Sequence, residues 1–264
     1  MSDILKVGVV GCLGRMGQAI IESIAVFDGA EFVAGSEVPT HPNVGKRMSG
    51  SEVVVSSCAK SVFDLADVVI DFTPPGNTSA HAALAAETKT ALVVGTTGFT
   101  ASDSDALDQA AADTVIIQSG NFSLGVNLLM AITSQVAEKL GSEWDIEVVE
   151  MHHRDKVDAP SGTALMLAEA AASGRGTSLG DLRADVREGF TGERKKGSIG
   201  FASLRGGSVI GEHDVIFASN SERITLSHKA ENRTLFADGA ARAAVWTHGQ
   251  KPGRYSMNDV LGIN

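Results

Sequence analysis

The hydrophobic pattern of the first 120 residues switches repeatedly between two periods. "ILKVGVVG" (4–11) is a short β-branched run without polar alternation, which predicts a parallel strand buried on both faces. "GRMGQAIIESIAVF" (14–27) then places Met16, Ile20, Ile21 and Ile24 at helical spacing. Strands follow at "AEFVAGSE" (30–37), "ADVVIDFT" (66–73, stopped by Pro74, Pro75 and Gly76), "TALVVGTTG" (90–98) and "TVIIQSGNFS" (114–123), with a shorter extended piece at "EVVVSS" (52–57). Helices are predicted between them at "TSAHAALAAET" (78–88) and "SDSDALDQAAAD" (102–113). Strands alternating with helices predict a parallel α/β sheet of Rossmann-like type.

After about residue 123 the pattern changes. "LGVNLLMAITSQVAEKL" (124–140) is a long amphipathic helix, followed by a strand at "WDIEVVEMHH" and a helix from about 160 to 173. "KKGSIGFASLRGGSVIGEHDVIFAS" (195–219) reads as antiparallel hairpins broken at Gly-Gly, "ERITLSHKA" as a further strand, and "NRTLFADGAARAAVWTHG" as a helix. The Gly- and charge-rich stretch 174–198 reads as a loop or flap. The pattern predicts an α/β chain: a Rossmann-like domain followed, after about residue 123, by an α+β domain.

Composition narrows the function classes. The chain has 264 residues and a formal net charge of -10, which argues against nucleic acid as a partner, because phosphate contacts need a surplus of Lys and Arg. Its two cysteines, Cys12 and Cys58, allow no disulfide framework and no CxxC metal pair, and the N-terminus "MSDILKVGVVGCLG" carries no signal-peptide pattern. No uncharged run reaches membrane-spanning length, so a cytoplasmic protein without a membrane partner is expected.

At the first strand–helix junction stands "GCLGRMG", with glycines at 11, 14 and 17. Such glycines allow a tight turn and close approach of a pyrophosphate to a helix N-terminus. Glu37 lies 20 residues beyond Gly17, at the end of the second strand, where an acid can accept hydrogen bonds from the adenosine ribose. An acid there repels a 2′-phosphate, and Val38, Pro39, Thr40 and His41 bring no cation beside it, so NADH is favoured over NADPH. "GTTG" (95–98) and "SGNFS" (119–123) also end parallel strands and are expected to line the nicotinamide side.

A second constellation is "EVVEMHHRDKVDAPSGTA" (147–164). Whether the chain continues extended or helical, His152 and Lys156 share a face, a pairing suited to acid–base work and anion binding. Asp158, Pro160 and Ser161 are expected to begin a helix with proline early in its first turn, and the N–H groups of Ser161, Gly162 and Thr163 to offer an anion site. A metal site from His152, His153, Asp155 and His213 is the competing arrangement, but no HxxH or HExxH spacing supports it, and no metal is expected. The single tyrosine, Tyr255, has no lysine four residues on, which excludes a Tyr-x-x-x-Lys dehydrogenase site.

The blocks "VGVVGCLGRMG", "VVIDFTPP", "VVGTTGF", "GNFSLGVN", "EMHHRDKVDAPSGTA", "REGFTGER" and "GSIGFASLRGGSVIGEHDVIF" resemble dihydrodipicolinate reductase, also called 4-hydroxy-tetrahydrodipicolinate reductase, along essentially the whole chain. The resemblance implies a dinucleotide-binding domain of 1–123 completed by 233–264, a substrate-binding and tetramerisation domain of 124–232 with a mixed open sheet, and a homotetramer that reduces a cyclic dicarboxylic imine with NAD(P)H in diaminopimelate and lysine synthesis. It implies His152 as proton donor, Lys156 as second acid, and His153, Ser161, Gly162 and Thr163 on the substrate carboxylates. It further implies cofactor binding by Gly11, Cys12, Leu13, Gly14, Arg15, Met16, Glu37, Phe72, Gly95, Thr96, Thr97, Ser119, Gly120, Asn121 and Phe122. Val38 and Pro74 stand where some members of that family carry basic residues, which again favours NADH. Cys12 reads as a small loop residue and not as a nucleophile.

Overall fold

The computed structural model describes residues 4–184 and 187–263. The chain forms two compact units, Met1–Leu124 with Thr234–Asn264, and Gly125–Arg233.

The first unit runs β1 (Leu5–Val10), α1 (Arg15–Ile24), β2 (Ala30–Ser36), α2 (Ala59–Phe63), β3 (Val68–Asp71), α3 (Thr78–Thr88), β4 (Ala91–Val94), α4 (Ala101–Ala110) and β5 (Val115–Gln118). At the boundary lies α5 (Leu124–Leu140). The second unit continues with β6 (Asp145–His152), α6 (Gly162–Gly174), α7 (Leu179–Leu182), β7 (Ile199–Arg205), β8 (Glu212–Ala218) and β9 (Arg223–Lys229). The chain then returns to the first unit as α8 (Thr234–Trp246), β10 (Gly253–Tyr255) and α9 (Met257–Leu261).

Six strands of the first unit pair in the order β10-β5-β4-β3-β1-β2, all parallel. Every residue of β3 and β4 is buried, because helices cover both faces, and this is why their sequences are apolar without alternation. On one face Ile20 and Ile24 of α1 and the alanines of α8 pack on Val7, Val9, Ile70 and Val93. On the other, Phe63, Ala82, Ala85 and Leu107 pack on Val69, Leu92 and Ile116. Each Val, Leu, Ile or Phe side chain so withdrawn from water contributes about 1.5–3 kcal/mol. The short elements α2, β10 and α9 carry too few residues for a periodic signal. "EVVVSS" contributes only isolated bridges, Ser36 to Ser56 and Arg47 to Val54.

The second unit is a four-stranded mixed sheet in the order β7-β6-β8-β9. Strand β6 alternates strictly, so Ile146, Val148, Glu150 and His152 face inward, where Leu129, Ala137, Leu167, Ala168 and Ala171 of the two long helices cover the aliphatic part of that face. The expectation of successive antiparallel hairpins over 195–219 is corrected here. Strand β7 runs parallel to β6, and β8 pairs antiparallel on the opposite edge of β6. Only β8 and β9 form a hairpin. Gly206 and Gly207 therefore belong to a connection that carries the chain past β6, and alternation alone does not say which edges pair.

The segment 174–198 contains α7, and its charges fasten it to β6: Arg194 donates to Asp145 Oδ1 at 2.8 Å, to Glu147 Oε1 at 3.2 Å and to the Ile146 carbonyl at 2.8 Å. Asp185 and Val186 of this segment lie outside the described residues.

Candidate active site

In the first unit, β1 delivers the chain into a turn at Gly11 (φ +69°), anchored by its N–H on the Ser36 carbonyl at 2.8 Å. A Cβ at Gly17 would run into the Gly11 carbonyl oxygen and come within 2.8 Å of the Cys12 Cα, so the first turn of α1 can lie against the loop only with glycine there. The N-cap of α1 is Gly14, which has no side chain to satisfy the first N–H groups. Those donors, with the helix dipole, suit a pyrophosphate. The loop opens on a cavity of about 550 Å³ lined by Gly11, Gly14, Arg15, Met16, Glu37 and Phe72 among the expected residues, and also by Ser36, Val38, Thr73, Pro74, Asn77 and His81. The glycine cradle and uncapped helix end fit a dinucleotide.

Glu37 turns back onto the loop, accepting from the Leu13 N–H at 3.2 Å and the Val38 N–H at 2.9 Å. Leu13 itself points into a different depression. Cys12 is fully buried, and burial together with the nearby Glu37 charge pushes its thiol up to about 11, so it stays protonated and unreactive.

Gly95, Thr96 and Thr97 follow β4, and Ser119, Gly120, Asn121 and Phe122 follow β5, outside that cavity's lining. Phe72 joins the two groups: its ring lies where a Cβ of Gly95 would stand and 5.2 Å from the Phe122 ring. Thr96 Oγ1 donates to the Thr73 carbonyl at 2.9 Å, and Ser119 Oγ to the Asn121 carbonyl at 2.7 Å. Beneath Thr73, buried Asp71 accepts from the Thr73 N–H and hydroxyl and pairs with His81 Nδ1 at 2.7 Å. Sequence reading did not single out Asp71, Thr73, Asn77 or His81. The only available signal was the polar "DFT" step at the end of an apolar strand.

In the second unit the strand β6 ends at His152, which is 8% exposed, and a turn follows in which the Lys156 N–H reaches the His153 carbonyl at 3.2 Å. Lys156 Nζ pairs with Asp158 Oδ1 at 2.8 Å, which holds the Asp158 carboxyl below its ordinary range. His153 is half-buried. Helix α6 begins at Gly162 with Ser161 as N-cap, its Oγ accepting from the Ala164 N–H at 3.1 Å. Pro160, joined to Ala159 by a cis peptide, thus precedes the cap and is not in the first turn, a correction to the expected helix start. A serine hydroxyl is the better cap, which displaces proline outward. The Ser161 N–H is also not directed at a ligand: it points to Glu150 Oε1 at 3.3 Å.

That carboxylate is the centre of the cluster. Glu150 is 1% exposed and accepts from Arg205 through two nitrogens, each at 2.8 Å, and from His152 Nδ1 at 2.5 Å. Burial pushes its carboxyl up, but the hydrogen bonds from Arg205, His152 and Ser203 outweigh burial and hold it at about 2. His152 is pulled below the ordinary histidine value, first by burial, with Lys156 and Arg205 adding to this and Glu150 opposing it. His213 stands edge-on to His152 with ring centroids 5.1 Å apart, and its Nε2 meets Ser161 Oγ at 3.0 Å. Burial and the neighbouring His152 push His213 down to about 4, so it is neutral at pH 7. Glu150 and Arg205 were not among the expected site residues, and His213 entered only in the competing metal arrangement. The signal for Glu150 was its i, i+2 relation to His152 in an alternating strand. Among the described residues, no group of three His, Cys, Asp or Glu side chains is placed to hold a metal ion.

A Rossmann-type unit with a dinucleotide loop, followed by a mixed-sheet unit bearing a histidine–lysine cluster at a helix N-terminus, defines a two-domain nicotinamide-dependent oxidoreductase. Comparison with known proteins makes this specific. The N-terminal model of dihydrodipicolinate reductase matches residues 5–122 and the C-terminal model residues 125–261. The chain is 49% identical to 4-hydroxy-tetrahydrodipicolinate reductase of Dinoroseobacter shibae over 100% of both chains. It is 51% identical to the Brucella abortus enzyme of that name, over 97% of this chain and 98% of that one. The dipicolinate-bound dihydrodipicolinate reductase of Paenisporosarcina sp. TG-14 superposes with a TM-score of 0.81 at 26% identity, covering 97% of this chain and 99% of that one. The chain belongs to the dihydrodipicolinate reductase family.

Proposed function

We propose that the protein reduces 4-hydroxy-tetrahydrodipicolinate, by way of dihydrodipicolinate, to tetrahydrodipicolinate, a step of diaminopimelate and lysine synthesis. The observation that carries this reading is the convergence of a buried, carboxylate-anchored His152 with Lys156 and the Ser161-capped start of α6. The dipicolinate held by the Paenisporosarcina relative supports a planar dicarboxylate as the ligand class. When bound, the nicotinamide cofactor supplies a hydride. His152 supplies the proton that the electron-rich reduced ring then requires. Lys156 acts as the second acid and, with His153 and the first turn of α6 at Gly162 and Thr163, neutralises the carboxylates, which makes the imine electron-poor. Ser161 contributes by fixing that helix end.

For the cofactor, the uncapped α1 N-terminus would take the pyrophosphate and Glu37 the ribose hydroxyls. Glu37 beside Val38 and Pro74 supports NADH over NADPH; Arg15, the cation lining the same cavity, opens α1 at the pyrophosphate loop. Two unpaired cysteines, one of them exposed, support a reducing cytoplasmic setting, and among the described residues no helix is long and apolar enough to cross a membrane.

A homotetramer is supported by the outer face of the mixed sheet. Val149, Met151 and Ile216 are half-buried there, and Leu204 is 49% exposed beside Met151.

The test is a coupled assay in which pyruvate and aspartate semialdehyde are condensed by the preceding synthase while absorbance of NADH, or separately NADPH, is followed. Synthase-dependent oxidation is expected, faster with NADH. Absence of oxidation by folded protein that binds NADH would refute the substrate assignment.

A further inference from the structure

The structure assigns to Glu150 the role of positioning residue for the proton donor: clamped by Arg205, it accepts the Nδ1–H of His152, so that the opposite ring nitrogen, Nε2, is the atom from which the proton leaves. This rests on the proposed role of His152 and deepens it.

The strict alternation of β6 puts Glu150 and His152 side by side on the buried face. A lone carboxylate there would be costly, and the two-point contact from Arg205, at 2.8 Å to each oxygen, offsets that cost and fixes the plane of the carboxylate. Arg205 is fixed in turn by its donation to the Asp158 carbonyl at 2.6 Å. An ionised carboxylate can only accept, so the hydrogen in the 2.5 Å contact belongs to the imidazole, and the neutral ring is the Nδ1–H tautomer. The far side of the ring is kept open by a glycine: a Cβ at Gly211 would stand 3.1 Å from His152 Nε2. Glu150 also accepts the Ser161 N–H. The donor histidine and the cap of the helix proposed to hold a substrate carboxylate are therefore tied to one carboxylate, the first at Oε2 and the second at Oε1.

The charge balance follows from the neighbours on each side. His152 faces Glu150 on its own strand, Arg205 on β7, His213 on β8 and Lys156 in the next turn; Asp158 pairs with Lys156, and His228 lies across from His213 on β9. His213 is neutral, Lys156 and Arg205 oppose a charged imidazole, and Glu150 is the carboxylate in direct contact with it. In the transfer the donor is the imidazolium: its Nε2–H bond breaks, the electron pair stays on nitrogen, the proton joins the carbon lone pair left by reduction, and the neutral Nδ1–H ring remains. The Nδ1–H bond to Glu150 is untouched.

Two measurements on the full-length protein test this. The first needs no change to the Glu150 site: ¹⁵N-histidine NMR of the wild type, with His152 assigned by the signal lost in His152→Gln. A neutral ring carrying its proton on Nδ1 is expected, and an Nε2–H tautomer overturns the assignment. The second is the pH profile of kcat in Glu150→Gln. The alkaline limb should move to lower pH by about one unit, with turnover at neutral pH down on the order of 100-fold and NADH affinity unchanged. A limb at the wild-type position overturns the role of Glu150. His152→Gln separates the two readings: full turnover there removes the proton donor itself, whereas loss of turnover combined with an unmoved Glu150→Gln limb removes only the positioning role.

Discussion

At the scale of single residues, cofactor choice and acid sensitivity each come down to one side chain. Glu37 has two tasks in this structure, since it accepts the Leu13 N–H as well as lining the cavity. Replacing it would loosen the loop and confuse any test of specificity. Val38 is 55% exposed and its contacts to Glu37 and His41 are made by its backbone, so Val38→Arg is the cleaner change. A guanidinium there can pair with a 2′-phosphate, and the NADPH-to-NADH ratio of kcat/KM should rise roughly tenfold, about 1.4 kcal/mol. Steady-state kinetics with both cofactors check it. His213 sets a different limit. Its folded pKa of about 4 lies below the ordinary 6.5, so between these values the unfolded chain binds a proton that the folded chain refuses. Stability contributed by neutral His213 is complete above pH 6.5 and is lost as pH falls towards 4, by about 3 kcal/mol in all. Urea unfolding of wild type and His213→Gln at pH 7 and pH 4.5 should show a smaller acid loss in the variant. Equal losses would place the sensitivity elsewhere.

At the scale of elements, much was legible because it is local. The helix boundaries at 78–88 and 124–140 agree with the structure, since alanine content in the first, apolar spacing in the second and flanking breakers act within one segment. The glycine loop was legible for the same reason: strand, turn and helix are contiguous. What escaped was adjacency made by strand order. Glu150 and Arg205 are 55 residues apart and Ser161 and His213 are 52 apart, and they meet because β6 lies between β7 and β8. A pattern that reads β7 and β8 as a hairpin puts Arg205 and His213 on neighbouring strands and leaves Glu150 with neither. Helix α6 offers a test at this scale. Ser161 caps it, orients towards His213 and donates its N–H to Glu150. Ser161→Ala removes the hydroxyl alone, so about 1 kcal/mol of stability should be lost, the substrate KM should rise, and NADH affinity should stay constant. A raised NADH dissociation constant would show that the effect spreads beyond the helix end.

At the scale of the whole molecule, the mixed sheet has two unequal faces. Leu129, Leu167, Ala168 and Ala171 from α5 and α6 close one of them over Ile146, Val148, Val215 and Phe217. On the other, β6 presents Val149 and Met151, β7 presents Ala202 and Leu204 in register with them, and β8 adds Ile216. Apolar side chains repeating on the outer face of a sheet whose other face is already packed are not what solvent selects, because such a face normally alternates to polar residues. A second copy laid on this face would bury it, and closed symmetry would let each subunit present the same patch. On the same face Glu147 lies opposite Ile216, Asp214 opposite Val149 and Glu212 opposite Met151, and these charges would be covered along with the apolar residues. Leu204→Lys puts a cation into the patch, on its edge strand β7, without touching the core face, where Arg205 and Glu150 reside. The expected result in sedimentation equilibrium is a fall from fourfold the 27.4 kDa chain mass to a smaller species, with circular dichroism unchanged. A tetramer that survives Leu204→Lys would mean that the copies meet through another surface. A wild-type monomer would mean that this apolar face is stable in water.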